Sequence, residues 1–185
     1  MATMTDAGKK MITDSNLVEA IQRATREVFS MMLGMEIEPG DPFTGTSAGT
    51  ESGVLALVGL AGPWMGTGSI TCTPRLACRL ASQMLMAEYA AVDDEVLDAV
   101  AEVANMVIGN VKTELERIVG PMALSTPTVI YGHNFETRRI GGQEWISVPF
   151  PCDGQELRVQ LCLAPAREPR ATLGPGFALP HTVQM

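Results

Sequence analysis

The stretch DDEVLDAVAEVANMVIGNVKTELERIV, residues 93–119, constrains this chain more than any other. Its apolar residues recur with a period of about 3.6, the mark of one long amphipathic helix. In helical projection Val100, Ala104, Val107, Val111 and Ile118 share the side that must face a core. Asp98, Glu102, Asn105 and Gly109 fall within about 60° of one another on the opposite side. Lys112 and Glu116 continue that line. A polar stripe of this kind is ordinarily a solvated face, filled by Glu, Lys, Gln or Ala. Asn105 does not suit that role, because its amide competes with the backbone for hydrogen bonds. Neither does Gly109, which costs about 1 kcal/mol relative to Ala inside a helix. An amide and a carboxylate one turn apart, beside a position with no side chain, make a probe that can enter another protein's pocket while a partner backbone comes close.

The rest of the chain supplies a layered domain for that helix. Residues 1–13 have no hydrophobic period and read as a flexible leader. A first helix is expected from Ser15 to Leu33, capped by Asp14 or Ser15 and stopped by Gly34, with Leu17, Ile21, Ala24, Val28, Met31 and Met32 inward. GVLALVGLAG (53–62) and GTGSITCT (66–73) read as a β-hairpin. Pro74 opens a further helix through RLACRLASQMLMAEYA. After Gly120-Pro121 come three strands, STPTVIYG, EWISVPF and ELRVQLCLA, with HNFETRRIGGQ and PCDGQ as loops or hairpin turns. The tail from 166 to 185 is rich in Pro and Gly and is expected to be disordered. The reading is one α+β domain over 14–165, a layered sandwich of a largely antiparallel sheet and long amphipathic helices.

Composition narrows the function. A chain of 185 residues can bury one sizeable core, and its 46% hydrophobic but 5% aromatic content makes that core aliphatic. The formal net charge of −8 argues against nucleic acid and against anionic membrane surfaces, both of which need Lys and Arg. No apolar run has the length of a membrane span, and the N-terminus lacks a signal-peptide core, so the cytoplasm is the expected compartment. Cys72, Cys78, Cys152 and Cys162 form no CxxC, and His133 and His181 are the sole histidines. Buried, reduced thiols are expected and a metal site is not. Nor does any phosphate loop, nucleophile elbow or HExxH support catalysis by a self-contained nucleophile.

The residues Asp98-xxx-Glu102-xx-Asn105, with Pro127 in STPTV about twenty residues further on, resemble the signature of the CheC/CheX/FliY chemotaxis phosphatases. The likeness is greatest to the CheX branch and runs over about 15–165. VFSMMLGMEIEPGDPF, DDEVLDAVAEVANMVIGNVKTEL and WISVPF follow in the same order. The resemblance implies a CheC-like fold and a substrate that is the phospho-aspartate of a CheY-like response regulator. It implies Mg²⁺ held by that regulator, with no cofactor on this chain. Asn105 would orient the attacking water and Glu102 would pair with the regulator's lysine. Asp98, Gly109 and Lys112 would line the partner contact, and Pro127 would support the helix. A homodimer through strand elements is also implied. In CheC-type members the first helix carries a second copy of the motif. Here it reads Ser15-xxx-Glu19-xx-Gln22, and Gln is one methylene too long, so that copy is expected to be vestigial.

Two other readings compete. A non-enzymatic adaptor could bind or sequester a phosphorylated regulator, or dock in a chemotaxis or flagellar-switch complex, but it would not need the amide. A small-molecule sensor could use Met84, Met86 and Met106 as a pocket, although Met at helical spacing is usually core filler. Trp145, in a strand, is expected in the core, and Trp64, on a turn, could be exposed or folded back.

Overall fold

The computed structural model describes residues 11–166 apart from 46 and 139–142, with backbone alone for 47–51 and 136–138. The element order is α1 (Asp14–Leu33), β1 (Phe43–Gly45), β2 (Ser47–Ala61), β3 (Trp64–Cys72), α2 (Pro74–Leu85), α3 (Asp94–Val119), β4 (Ala123–Leu124), β5 (Thr128–Arg138), β6 (Trp145–Cys152) and β7 (Gln155–Pro165). The leader up to residue 10, the tail from 167 and residues 139–142 of HNFETRRIGGQ lie outside the described residues.

Local sequence explains the helix ends. Thr13, not Asp14 or Ser15, caps α1: its Oγ1 accepts from Asn16 N–H at 3.2 Å, and Asn16 Oδ1 accepts from Thr13 N–H at 3.0 Å. This reciprocal box satisfies two otherwise orphaned donors and leaves Asp14 as a first-turn acid, favourable at the positive end of the helix. Ile12, just before the cap, is buried in the core. Gly34 adopts φ 61°, which ends α1 where the sequence placed it. Leu17, Ile21, Ala24 and Val28 are buried as expected, but Met31 and Met32 are 75% and 56% exposed. In the last turn the buried side chains are Phe29 and Leu33, so the inward face has shifted round the helix away from Met31 and Met32. Angular position alone no longer secures burial. α2 starts with Pro74 at its first turn under a Thr73 cap, and Met86 in the left-handed region ends it before Tyr89.

Every strand pairing is antiparallel, in the order β1-β6-β7-β3-β2-β4, with β5 also on β2. The β2–β3 hairpin is the one read from sequence. The first part of HNFETRRIGGQ, through Arg138, is strand and not turn, since β5 continues there and pairs β2, whereas β6 pairs β7 and β1. Alternation along the strands gives the sheet two unlike faces. Gly68 faces α3 so closely that a Cβ there would lie 2.7 Å from Ile108 Cδ1. Ile70, Val148, Val159 and Leu161 share that helix-covered side. On the opposite side Gln160 is buried, donating to Ser147 Oγ at 2.8 Å and accepting from Ser69 Oγ at 3.4 Å. Both tryptophans are buried, which decides Trp64 in favour of a folded-back turn. The four cysteines are buried free thiols, and burial, aided by nearby Cys78, pushes Cys72 up to about 12. Among the described residues no helix is long and apolar enough to cross a membrane.

Candidate functional site on the outer face of α3

α3 is the rigid element on which the candidate site stands. Asp93 caps it, accepting from Val96 N–H at 2.9 Å, and Asp94 and Glu95 occupy the first turn, where negative charge is favoured. Val96, Ala99, Val100, Val103, Ala104, Val107, Ile108, Val111 and Leu115 are buried, so the inner face is continuous over five turns. Ile118 is only half-buried, because Leu115 closes that end of the core instead. A helix held this firmly carries its outward side chains at fixed spacing and angle.

The stripe divides into two parts. Asp98 and Glu102 are exposed and Asn105 is half-buried. Among the described residues none of these three side chains makes a hydrogen bond or an ion pair. Two acceptor groups and one amide with both donors and acceptors are therefore left available on successive turns. The helix surface is convex, so a reaction centre here is completed by a second molecule.

The second part is engaged by the chain itself. Gly109 is half-buried, and a Cβ on it would meet Leu124 Cδ1 at 3.7 Å. The bare position inferred from sequence is thus flanked by Leu124 of β4 in the same chain. Lys112 Nζ donates to Glu116 Oε1 at 2.9 Å and to the Met122 carbonyl at 3.5 Å. Glu116 Oε1 also accepts from Met122 N–H at 2.8 Å. That backbone donor first, and then Lys112, hold the Glu116 carboxyl below its ordinary value of 4.5. Lys112 is occupied in holding a turn of its own chain. Pro127 is half-buried and immediately precedes β5. Beside it, Ser125 is tied to β2 through Ser125 N–H to Gly59 O at 2.9 Å and Gly59 N–H to Ser125 Oγ at 2.8 Å. Composition and helical period carried no signal for Met122, Leu124 or Ser125, since each becomes relevant only when the chain folds back on α3.

The first-helix copy sits on the outer face of α1, with Ser15 and Glu19 exposed and Gln22 half-buried. α1 runs alongside α3, and Glu114 joins the two by accepting from Arg23 at 3.1 Å and from Arg117 at 2.9 Å. The methionines proposed for a sensor pocket are dispersed: Met86 is 94% exposed, and Met84 and Met106 only flank the core. Among the described residues no group of three or more His, Cys, Asp or Glu could hold a metal ion.

This geometry can be set beside known proteins. The family described as chemotaxis phosphatase CheX matches residues 54–151, just over half of the chain and including all of α3. The CheY-P phosphatase CheX of Thermotoga maritima is 25% identical over 129 residues, covering 69% of this chain and 83% of that protein. A CheC-like superfamily protein from Shewanella sp. PV-4 superposes with a TM-score of 0.74 at 27% identity, over 83% of this chain and 99% of that one. The CheX of a CheX-CheY-BeF3-Mg²⁺ complex from Borrelia burgdorferi superposes with a TM-score of 0.67 at 32% identity, over 80% of this chain and 97% of that one. Family match and fold agree: the chain belongs to the CheX family of chemotaxis phosphatases.

Proposed function

We propose that this chain is a phosphatase that accelerates hydrolysis of the phospho-aspartate of a CheY-like response regulator. The observation that carries the reading is the pair Glu102 and Asn105, one turn apart on the outer face of a core-anchored helix, with neither side chain bonded within the described residues. Two relatives support it by what they are: a CheY-P phosphatase and a CheX captured with CheY and Mg²⁺.

The chemistry asks for little covalent help. The water oxygen forms a bond to phosphorus as the bond from phosphorus to the aspartyl oxygen breaks. The carboxylate leaves with its electron pair, and the water's proton passes to the released phosphate. Such a transfer is governed by alignment and by charge neutralisation on the equatorial oxygens. In this reading Mg²⁺ belongs to the regulator, and it supplies that neutralisation. Asn105 supplies alignment, since its carboxamide can accept from and donate to one water without changing protonation state. Glu102 pairs with a lysine of the regulator and sets the angle at which Asn105 enters; Asp98 makes a rim contact one turn earlier. With a net charge of −8, the chain must approach an acidic pocket through local complementarity of this kind. The reading extends to a cytoplasmic protein acting beside its regulator. It also extends to a homodimer through strand elements, for which β5 offers an edge that pairs no strand but β2 among the described residues.

The test is phosphate release from a phosphorylated receiver domain with Mg²⁺ and catalytic amounts of this protein. Turnover by the wild type, lost in Asn105→Ala with binding retained and impaired together with binding in Glu102→Ala, is the expected result. Stoichiometric protection without turnover would make the protein an adaptor. Turnover by Asn105→Ala at the wild-type rate would remove Asn105 from the mechanism.

A further inference from the structure

The segment that follows α3 turns back along the outer face of the same helix. Met122 meets Lys112 and Glu116, and Leu124 lies against Gly109, so each step forward along the segment is a step back toward Asn105. At about 1.5 Å per helical residue and about 3.3 Å per extended residue, two residues beyond Leu124 cover the distance from Gly109 to Asn105. An extended path beyond Leu124 would bring Thr126 and Pro127 level with the amide, and β5, which starts at Thr128, touches α3.

Both ends of this segment are fastened. At the start, Glu116 Oε1 takes the Met122 N–H at 2.8 Å, Lys112 Nζ bridges Glu116 and the Met122 carbonyl, and Gly120 N–H donates to Glu116 O at 2.9 Å. At the far end, Ser125 locks onto Gly59, and its Oγ donates to Thr126 O at 2.9 Å. Pro127 then needs no donor partner and fixes its own φ. Glu116 lies eleven residues from Asn105, roughly 16 Å along the helix, too far to touch a phosphoryl group held at the amide.

From this arrangement, and resting on the phosphatase reading above, we propose that Glu116 is a positioning residue. Together with Lys112 it holds the returning segment Gly120–Pro127 against α3 as a side wall of the site, limiting where the Asn105 carboxamide can point. A wall that only orients the amide should govern the chemical step and leave docking alone. Misplacement by about 1 Å is enough to slow such a step by up to two orders of magnitude.

Two measurements decide it. The first is kcat and KM for a phosphorylated receiver domain with Glu116→Ala and Glu116→Gln. The alanine variant is expected to lose kcat about tenfold with KM within about twofold, and the glutamine variant, which keeps an acceptor for Met122, to recover at least half of the wild-type kcat. The second is amide hydrogen exchange in the free protein, where Glu116→Ala should speed exchange over 120–126 while α1 stays protected. Unchanged exchange over 120–126 overturns the clamp whatever the protein's activity. Wild-type kcat in the alanine variant, or a rise in KM alone, overturns the positioning role while the phosphatase reading stands. A wild-type protein without turnover on any receiver domain would instead sink the phosphatase reading and with it the kinetic role of Glu116.

Discussion

The two halves of the outward stripe on α3 have the same helical spacing and opposite fates. From Gly109 to Glu116 the stripe is taken up by the chain's own return path, through Leu124, Met122 and the Lys112–Glu116 pair. From Asp98 to Asn105 it faces outward with no bond among the described residues. The first half of the helix therefore carries polar groups that folding does not use. Asn in a helix interior costs a few tenths of a kcal/mol relative to Ala, and here no local hydrogen bond offsets it. Polarity alone would have assigned both halves to a partner, whereas packing assigns one to the fold and leaves the other unengaged.

The sharpest way to break this contrast is Asn105→Ala. Stimulated dephosphorylation should fall by about 100-fold or more, while the melting temperature should stay level or rise, because alanine is the better helix former and no internal bond is lost. A fall in melting temperature would show that Asn105 serves the fold, as the residues beyond it do. Next in size, Glu102→Ala should lower kcat/KM by about tenfold, with a loss that shrinks at high salt if the residue acts through a charge pair at the partner surface.

Acid titration probes the other half. The Glu116 carboxyl is held below its ordinary value, so the unfolded chain binds the proton more readily and stability rises with pH through that window. The contribution is complete above the ordinary carboxylate value and vanishes as the pH falls through the folded one. Denaturation curves of the wild type and Glu116→Gln should accordingly differ at neutral pH and converge in acid. Gly109→Ala should stabilise by up to about 1 kcal/mol, since the new methyl meets only Leu124 at contact distance. Phosphate release should stay within about twofold of wild type, because Ala adds nothing beyond that wall. A large loss of activity in Gly109→Ala would return the position to the partner and erase the boundary between the halves. The smallest effect is expected on α1, where Gln22→Ala should leave turnover unchanged in the same assay; a loss would mean that the first helix holds a second working site.

Much of the architecture was legible because it is local. The period of residues 93–119, the Pro74 start, the Gly34 stop and the β2–β3 hairpin each depend on contacts between near neighbours in sequence. The errors arose where a local signal was overruled from a distance. HNFETR carries turn-like residues, and Asn134 does take φ 55°, yet the segment is drawn into strand by its long ladder on β2. Met31 and Met32 have core-like chemistry but lie where the buried face has shifted to Phe29 and Leu33. β1 and β4 are three and two residues long, too short to leave any period. Along the stripe, the outward placing of Asp98, Glu102 and Asn105 could be read from spacing, while the contacts that Gly109 and Lys112 make with the returning chain could not.

The sequence by itself determined that α3 would be a long two-sided helix with an acid and an amide displayed one turn apart, because helical geometry fixes the direction of every side chain once the period is known. Only the tertiary structure decided which of those displayed groups the protein would consume. That depends on where the chain goes after Gly120 and on which edge of the sheet receives β5, and both are set by strand pairings between residues far apart in the chain. Such pairings, which here join residues about sixty to ninety positions apart, are chosen by the register of whole strands and leave no period in the residues that make them.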